Sequence, residues 1–181
     1  LSYGEALRWS AAGAVPTNLA TAHTMEHSRS GHGINDAGQV AGSSIWYGPI
    51  GLAGSNYRNV EQATVWSASG QATVLRYDGF PFGSGANAIN RDGWVVGWVT
   101  EFDVGYRAAL WTSSTANPLL LSSPGLANSW GSWDSATSVN DNGLVVGYTT
   151  DEREHAHAQL WFDEFRFELA ALAGQCPVAP A

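Results

Sequence analysis

Apolar and polar residues alternate along this chain in short runs, and no stretch longer than about ten residues keeps a helical period of 3.6. The runs recur in a fixed order. Gly33-Ile34-Asn35-Asp36-Ala37-Gly38-Gln39-Val40-Ala41-Gly42 is matched position by position by residues 88–97 and 138–147, at spacings of 55 and 50 residues. The shared register is aliphatic, Asn, two polar positions, Gly, any residue, Val, a small residue or Val, Gly.

A second element follows each copy: Ala63-Thr64-Val65-Trp66, Ala108-Ala109-Leu110-Trp111 and Ala158-Gln159-Leu160-Trp161. A fourth copy, Ala6-Leu7-Arg8-Trp9, stands near the start with no Asn-Gly element before it. A short apolar stretch then closes each unit. The aliphatic-Asn stretch reads as a strand, and Asn-x-x-Gly as a tight turn, because Asn tolerates left-handed backbone and Gly adopts it freely. The Val-rich, Trp and final apolar stretches read as three more strands.

Four short antiparallel strands in about fifty residues describe one blade of a β-propeller. The predicted fold class is therefore all-β, a β-propeller-like array of four-stranded antiparallel blades with about three and a half repeats. Residues 1–181 form a single β-repeat domain: a half unit over 1–32, units over 33–87, 88–137 and 138–172, and a tail over 173–181. Gly42, Gly97 and Gly147 fall inside strands, where glycine weakens pairing. The expected reason is room for a neighbouring Trp ring. The recurring Trp9, Trp66, Trp111 and Trp161 are expected in the core.

The pattern Ile-Asn-x-x-Gly-x-Val-Val-Gly followed by His-Ala-φ-φ-Trp resembles the HAF repeat of bacterial extracellular proteins. His157-Ala158-Gln159-Leu160-Trp161 is the nearest copy, while Glu5, Gln62 and Arg107 replace the histidine elsewhere. The resemblance implies a β-propeller type of fold and an extracellular or cell-surface location. It carries over no catalytic activity and no functional residues.

Composition narrows the function classes. Eight Arg, no Lys and sixteen Asp and Glu leave a net charge of −8. Nucleic-acid binding needs a positive stripe, so no nucleic-acid partner is expected. The same sign disfavours an anionic membrane surface, and no apolar run is long enough to span a bilayer. The chain opens at Leu1 rather than Met, as a processed or truncated polypeptide would, and no signal peptide is seen. One cysteine, Cys176, excludes an intrachain disulfide and leaves an intermolecular one as its other role.

Candidates for chemistry are few, and no catalytic residue, cofactor or metal is expected. His23 and His27 have zinc-like spacing only if residues 22–30 are helical, with Glu26 or His32 completing the set. A polar connection explains them more simply. The acidic Asn turns offer too few oxygens for calcium, and turn formation accounts for them. Residues 151–154 read as a solvated hairpin tip.

Aromatic residues outside the repeat register are better candidates. Trp46 and Tyr47 lie in a long connection over residues 43–62, and Trp130 and Trp133 in one over 122–137. Aromatic insertions on a repeat scaffold are where binding surfaces are grafted. The incomplete repeat count adds a second signal, because a half unit leaves strand edges that natural proteins avoid. The chain is expected to be a fragment of a longer array or to self-associate, as a closed dimer or a head-to-tail filament. The leading reading is a non-catalytic, self-assembling structural or interaction protein. Trp46, Tyr47, Trp130 and Trp133 are the candidate binding residues, read first as anchors of a protein interface because the half unit already demands a partner. The alternative is a carbohydrate-binding, lectin-like propeller in which exposed Trp stacks on the sugar rings of a polysaccharide.

Overall fold

A computed structural model describes residues 4–50, 56–79, 83–101, 105–121, 132–151, 153, 155–162 and 165–169. Their secondary structure is almost entirely antiparallel β. A two-stranded sheet pairs β1 (Leu7–Arg8) with β2 (Thr17–Asn18). A four-stranded sheet follows, ordered β3 (Glu26–Ile34), β4 (Val40–Ile50), β5 (Asn56–Trp66) and β6 (Ala72–Val74). The next holds β7 (Ser84–Ile89), β8 (Val95–Glu101), β9 (Gly105–Trp111) and β10 (Leu119–Leu120), with β11 (Ser132–Trp133) added in parallel to β9. The last holds β12 (Ser135–Val139), β13 (Val145–Thr150), β14 (Ala156–Phe162) and β15 (Phe165–Glu168). Apart from β11, strand order follows chain order in each, so the antiparallel strands of every sheet form a meander. The described sheets do not close into a ring.

The register is the same in all three large sheets. Ile34, Ile89 and Val139 pair with Val40, Val95 and Val145, which pair in turn with Trp66, Trp111 and Trp161. The turn between the first two strands is also the same. Gly38, Gly93 and Gly143 have φ of 75°, 82° and 79°, a region that favours glycine. Their amides donate to the carbonyls of Asn35, Asn90 and Asn140. Each Asn side chain then accepts the amide just past the glycine: Gln39 at 3.0 Å, Trp94 at 2.8 Å and Leu144 at 2.9 Å. The Asn-x-x-Gly signature is thus a self-capped hairpin turn.

The in-strand glycines have a different role from the expected one. The first strand of each large sheet carries a bulge, at His32, Asn87 and Thr137, where the pairing register shifts by one. Such a bulge bends the strand toward its neighbour. A Cβ on Gly42, Gly97 or Gly147 would land on the backbone carbonyl of Ser30, Gly85 or Ser135 just before that bulge. The space is kept for main chain, and no Trp ring is among the nearest atoms.

Successive sheets stack face to face, and the core lies between them. The rear face of one sheet meets the front face of the next. Ala41, Ala63 and Leu75 pack on Ala86, Ile89, Val95 and Trp111. One unit on, Val96, Ala108, Leu110 and Leu121 pack on Ala136, Val139, Val145 and Trp161. The two-stranded sheet covers Val40 and Trp66 with Ala6 and Leu19. Burying each large side chain in this way contributes about 1.5–3 kcal/mol.

Polar bonds recur at the junctions too. The bulge side chains reach the next sheet: His32 Nδ1 lies 2.8 Å from the Ala86 carbonyl, and Asn87 Nδ2 donates to that of Ala136 at 2.8 Å. The turn asparagines form a ladder, with Asn35 Nδ2 donating to the Asn90 carbonyl at 2.9 Å and Asn90 Nδ2 to that of Asn140 at 3.1 Å. The indoles point back, Trp66 Nε1 to the Ala20 carbonyl at 2.8 Å and Trp111 Nε1 to that of Arg76 at 2.9 Å.

Three local expectations are corrected. Trp9 is 57% exposed, although its counterparts Trp66, Trp111 and Trp161 are buried. The Trp position is buried only where another sheet stacks in front, and no described sheet stacks before β1–β2. Residues 22–30, read as a polar connection, are a turn over 22–25 followed by the first residues of β3. Much of the connection over residues 43–62 is a prolongation of the β4–β5 hairpin, paired from Val40↔Trp66 out to Ile50↔Asn56.

Candidate functional site

The two ends of the stack are unlike its interior. At the rear end, Val146, Ala158, Leu160 and Leu169 hold the register positions of Val96, Ala108, Leu110 and Leu121. The interior four are buried, with Val96 at 0% and Leu121 at 5% exposure. At the end of the stack Val146 and Leu169 are each 36% exposed, Ala158 is exposed and Leu160 is half-buried. Asn140, the last rung of the ladder, is exposed, whereas Asn90 is buried. Thr137, at the third bulge, turns its hydroxyl to the Val146 carbonyl of its own sheet, at 3.2 Å, where His32 and Asn87 reach forward.

The front end shows the complementary set. Leu7 and Trp9 are exposed on the two-stranded sheet, at the register positions of Thr64 and Trp66. Ile34 is 58% exposed, while Ile89 and Val139 at its position are buried. The two described strands of the front sheet leave Ile34 uncovered.

The aromatic candidates separate. Trp46 is half-buried on β4, stacks on His23 with centroids 4.7 Å apart, and donates its indole N–H to Gln62 Oε1 at 2.9 Å. Tyr47 faces the other way and leans on Tyr57 at 5.8 Å; both are exposed. Trp133 belongs to a different group. The parallel pairing of β11 with β9 sets it beside Tyr106, and their rings stack at 4.6 Å with an interplanar angle of 13°. Tyr106 in turn meets Trp98 at 4.8 Å. Trp133 is anchored from below, its amide donating to Thr150 Oγ1 at 2.7 Å while buried Asp134 accepts the Thr150 amide at 3.1 Å. Trp130 and Cys176 lie outside the described residues. Tyr106 and Tyr148 were not among the sequence candidates. Trp98 and Tyr148 hold the same register position, directly after Gly97 and Gly147, and that coincidence is their signal in the sequence.

The titratable groups serve loops and junctions. His23 stacks on Trp46, whereas His27 Nε2 lies 3.0 Å from Asn59 Oδ1, so no helix face gathers them. Glu26 accepts the amides of Ala22 and His23 and pairs with Arg29 at 3.4 Å. Among the acidic turns, Arg91 bridges Asp141 at 3.1 Å and Asp36 at 3.9 Å. Asp151 organises the β13–β14 hairpin by accepting the amides of Arg153 and His155 at 2.8 and 2.9 Å, with the His157 ring 3.3 Å away. The His155 amide does most to hold its carboxyl down at about 2, helped by the His157 ring and opposed by partial desolvation. Among the described residues no group of three or more His, Cys, Asp or Glu side chains converges. No described helix is long and apolar enough to cross a membrane.

No family model, no curated protein and no solved structure matches this chain.

Proposed function

We propose that this chain is a non-catalytic β-repeat scaffold that self-associates by stacking the exposed rear face of its last sheet on the exposed front face of another copy. One observation carries the reading: Val146, Ala158, Leu160 and Leu169 occupy positions that are buried at the preceding junction. A face built to be covered at one junction retains the same apolar character where no described sheet covers it, and exposed apolar patches mark interaction sites. Internal junctions always join a rear face to a front face, so the favoured contact is heterologous. Such contacts close into a ring or grow into a filament according to the rotation between copies.

The finer architecture belongs to the same proposal. Three four-stranded meanders stacked in series support blades of a propeller-like array, which a second copy would extend. An extracellular or cell-surface setting rests on the HAF-repeat resemblance alone. A structural role for the repeated polar residues is supported by what they bond: Asn35, Asn90, His32 and Asn87 are engaged in turns and junctions. Light scattering after size exclusion tests the proposal. The mass should rise above the 19.2 kDa of one chain as concentration increases, and a constant monomer mass would refute it.

A further inference from the structure

A second site lies inside one chain, where the sheet of β7–β10 meets that of β12–β15. Trp98, Tyr106, Trp133 and Tyr148 wall a cleft of about 390 Å³, with Asn87 and Asp134 beside them. That size falls within the ~300–1,000 Å³ of small-molecule sites. The wall is held in place by backbone pairing rather than by loop packing, because β11 is hydrogen-bonded to β9 and pinned to Thr150. Trp133 has one ring face against Tyr106 and is 53% exposed, so the aromatic stack ends in a surface open to a ligand.

The polar lining is equally definite. Asn87 spends its amide hydrogens on Ser135 Oγ at 2.9 Å and the Ala136 carbonyl at 2.8 Å. Its side-chain carbonyl oxygen is thereby oriented and left to accept. Asp134 adds a buried carboxylate, and Ser135, Thr137 and Tyr148 add hydroxyls. Among the described residues that line the cleft none is cationic. The ligand that fits has one apolar face for a flat aromatic ring, several hydroxyl donors for fixed acceptors, and no negative charge to meet Asp134. We propose that this cleft binds a neutral pyranose unit of an oligosaccharide, stacked on Trp133 and hydrogen-bonded to Asn87. An apolar ligand of the same size would offer nothing to the oriented carbonyl oxygen of Asn87, which costs affinity.

The site does not depend on self-association, and its test is separate. Neutral hexasaccharides of β-linked glucose, β-linked xylose and α-linked mannose would be titrated into the wild-type chain, followed by tryptophan fluorescence and calorimetry. A polygalacturonate oligomer and a proline-rich peptide serve as the acidic and non-sugar arms. At least one neutral sugar should bind, and Trp133→Ala should weaken it by about tenfold or more. Trp133→Phe should keep binding within about threefold, because a flat ring remains. Circular dichroism melts of both variants establish that they fold; Trp133 is half exposed, so both should. Silence across the neutral sugars, preference for the acidic sugar or the peptide, or undiminished binding in folded Trp133→Ala would each overturn the proposal.

Discussion

The side-chain amide of Asn90 donates to the main-chain carbonyl of Asn140, 3.1 Å away and 50 residues further along the chain. The same side chain accepts the Trp94 amide at 2.8 Å and so closes its own turn. One residue therefore serves both the hairpin and the junction. Asn140 closes its turn in the same way but has no described sheet ahead of it.

That difference predicts unequal costs for one substitution. Asn90→Ala removes a buried residue's turn bond and junction bond together, and should destabilise by about 1–3 kcal/mol. Asn140→Ala removes only exposed turn bonds to Asn142 and Leu144 and should cost about 0.5–1.5 kcal/mol. Urea denaturation of the two variants measures the gap. Equal losses would show that the ladder bond contributes nothing to stability.

Gly97→Ala should be more damaging than a surface glycine change. Its Cβ would collide with the Gly85 carbonyl, and backbone cannot move aside as a flexible side chain can. A loss of at least about 1–3 kcal/mol is expected. Gly13→Ala, with φ of 78° but open space around it, isolates the conformational cost alone and should lose less. Thermal melts compare them directly.

Asp151 sets a pH dependence with a definite sign. Its folded carboxyl lies at about 2, below the ordinary 3.8, chiefly because the His155 amide bonds the charged form. The stabilisation is complete above the unfolded value and is lost as pH falls from about 4 toward 2. A carbon-detected NMR titration should place the Asp151 midpoint near 2. Asp151→Asn should flatten the acid limb of the stability curve over that interval.

The repeat was legible in the sequence because every junction uses the same positions. Asn35, Asn90 and Asn140 recur for their turns, and Trp66, Trp111 and Trp161 recur for their place opposite Val40, Val95 and Val145. Burial was less legible. Trp9 has the recurring identity, but the core lies between sheets, so its exposure depends on a neighbour and not on its own pattern. The role of Gly97 was hidden for a similar reason: the atom it accommodates is a main-chain oxygen, which leaves no side-chain trace. Trp133 was singled out as an unrepeated aromatic, yet its stacking partner Tyr106 was not. They are joined by a parallel β9–β11 pairing of two residues per strand, too short to announce itself in any periodicity.

Stacking of the rear face of one chain on the front face of the next requires both faces to be intact. Sedimentation velocity of two face-blocked variants tests it most directly, because both substitutions fall on exposed residues, Val146→Arg at the rear and Trp9→Arg at the front. The wild-type chain should form concentration-dependent assemblies, and each variant alone should sediment as a monomer. Mixed in equal amounts, the two should form a one-to-one dimer through their intact faces and grow no further. A monomeric wild type, or assemblies that persist unchanged in both variants, would contradict the account.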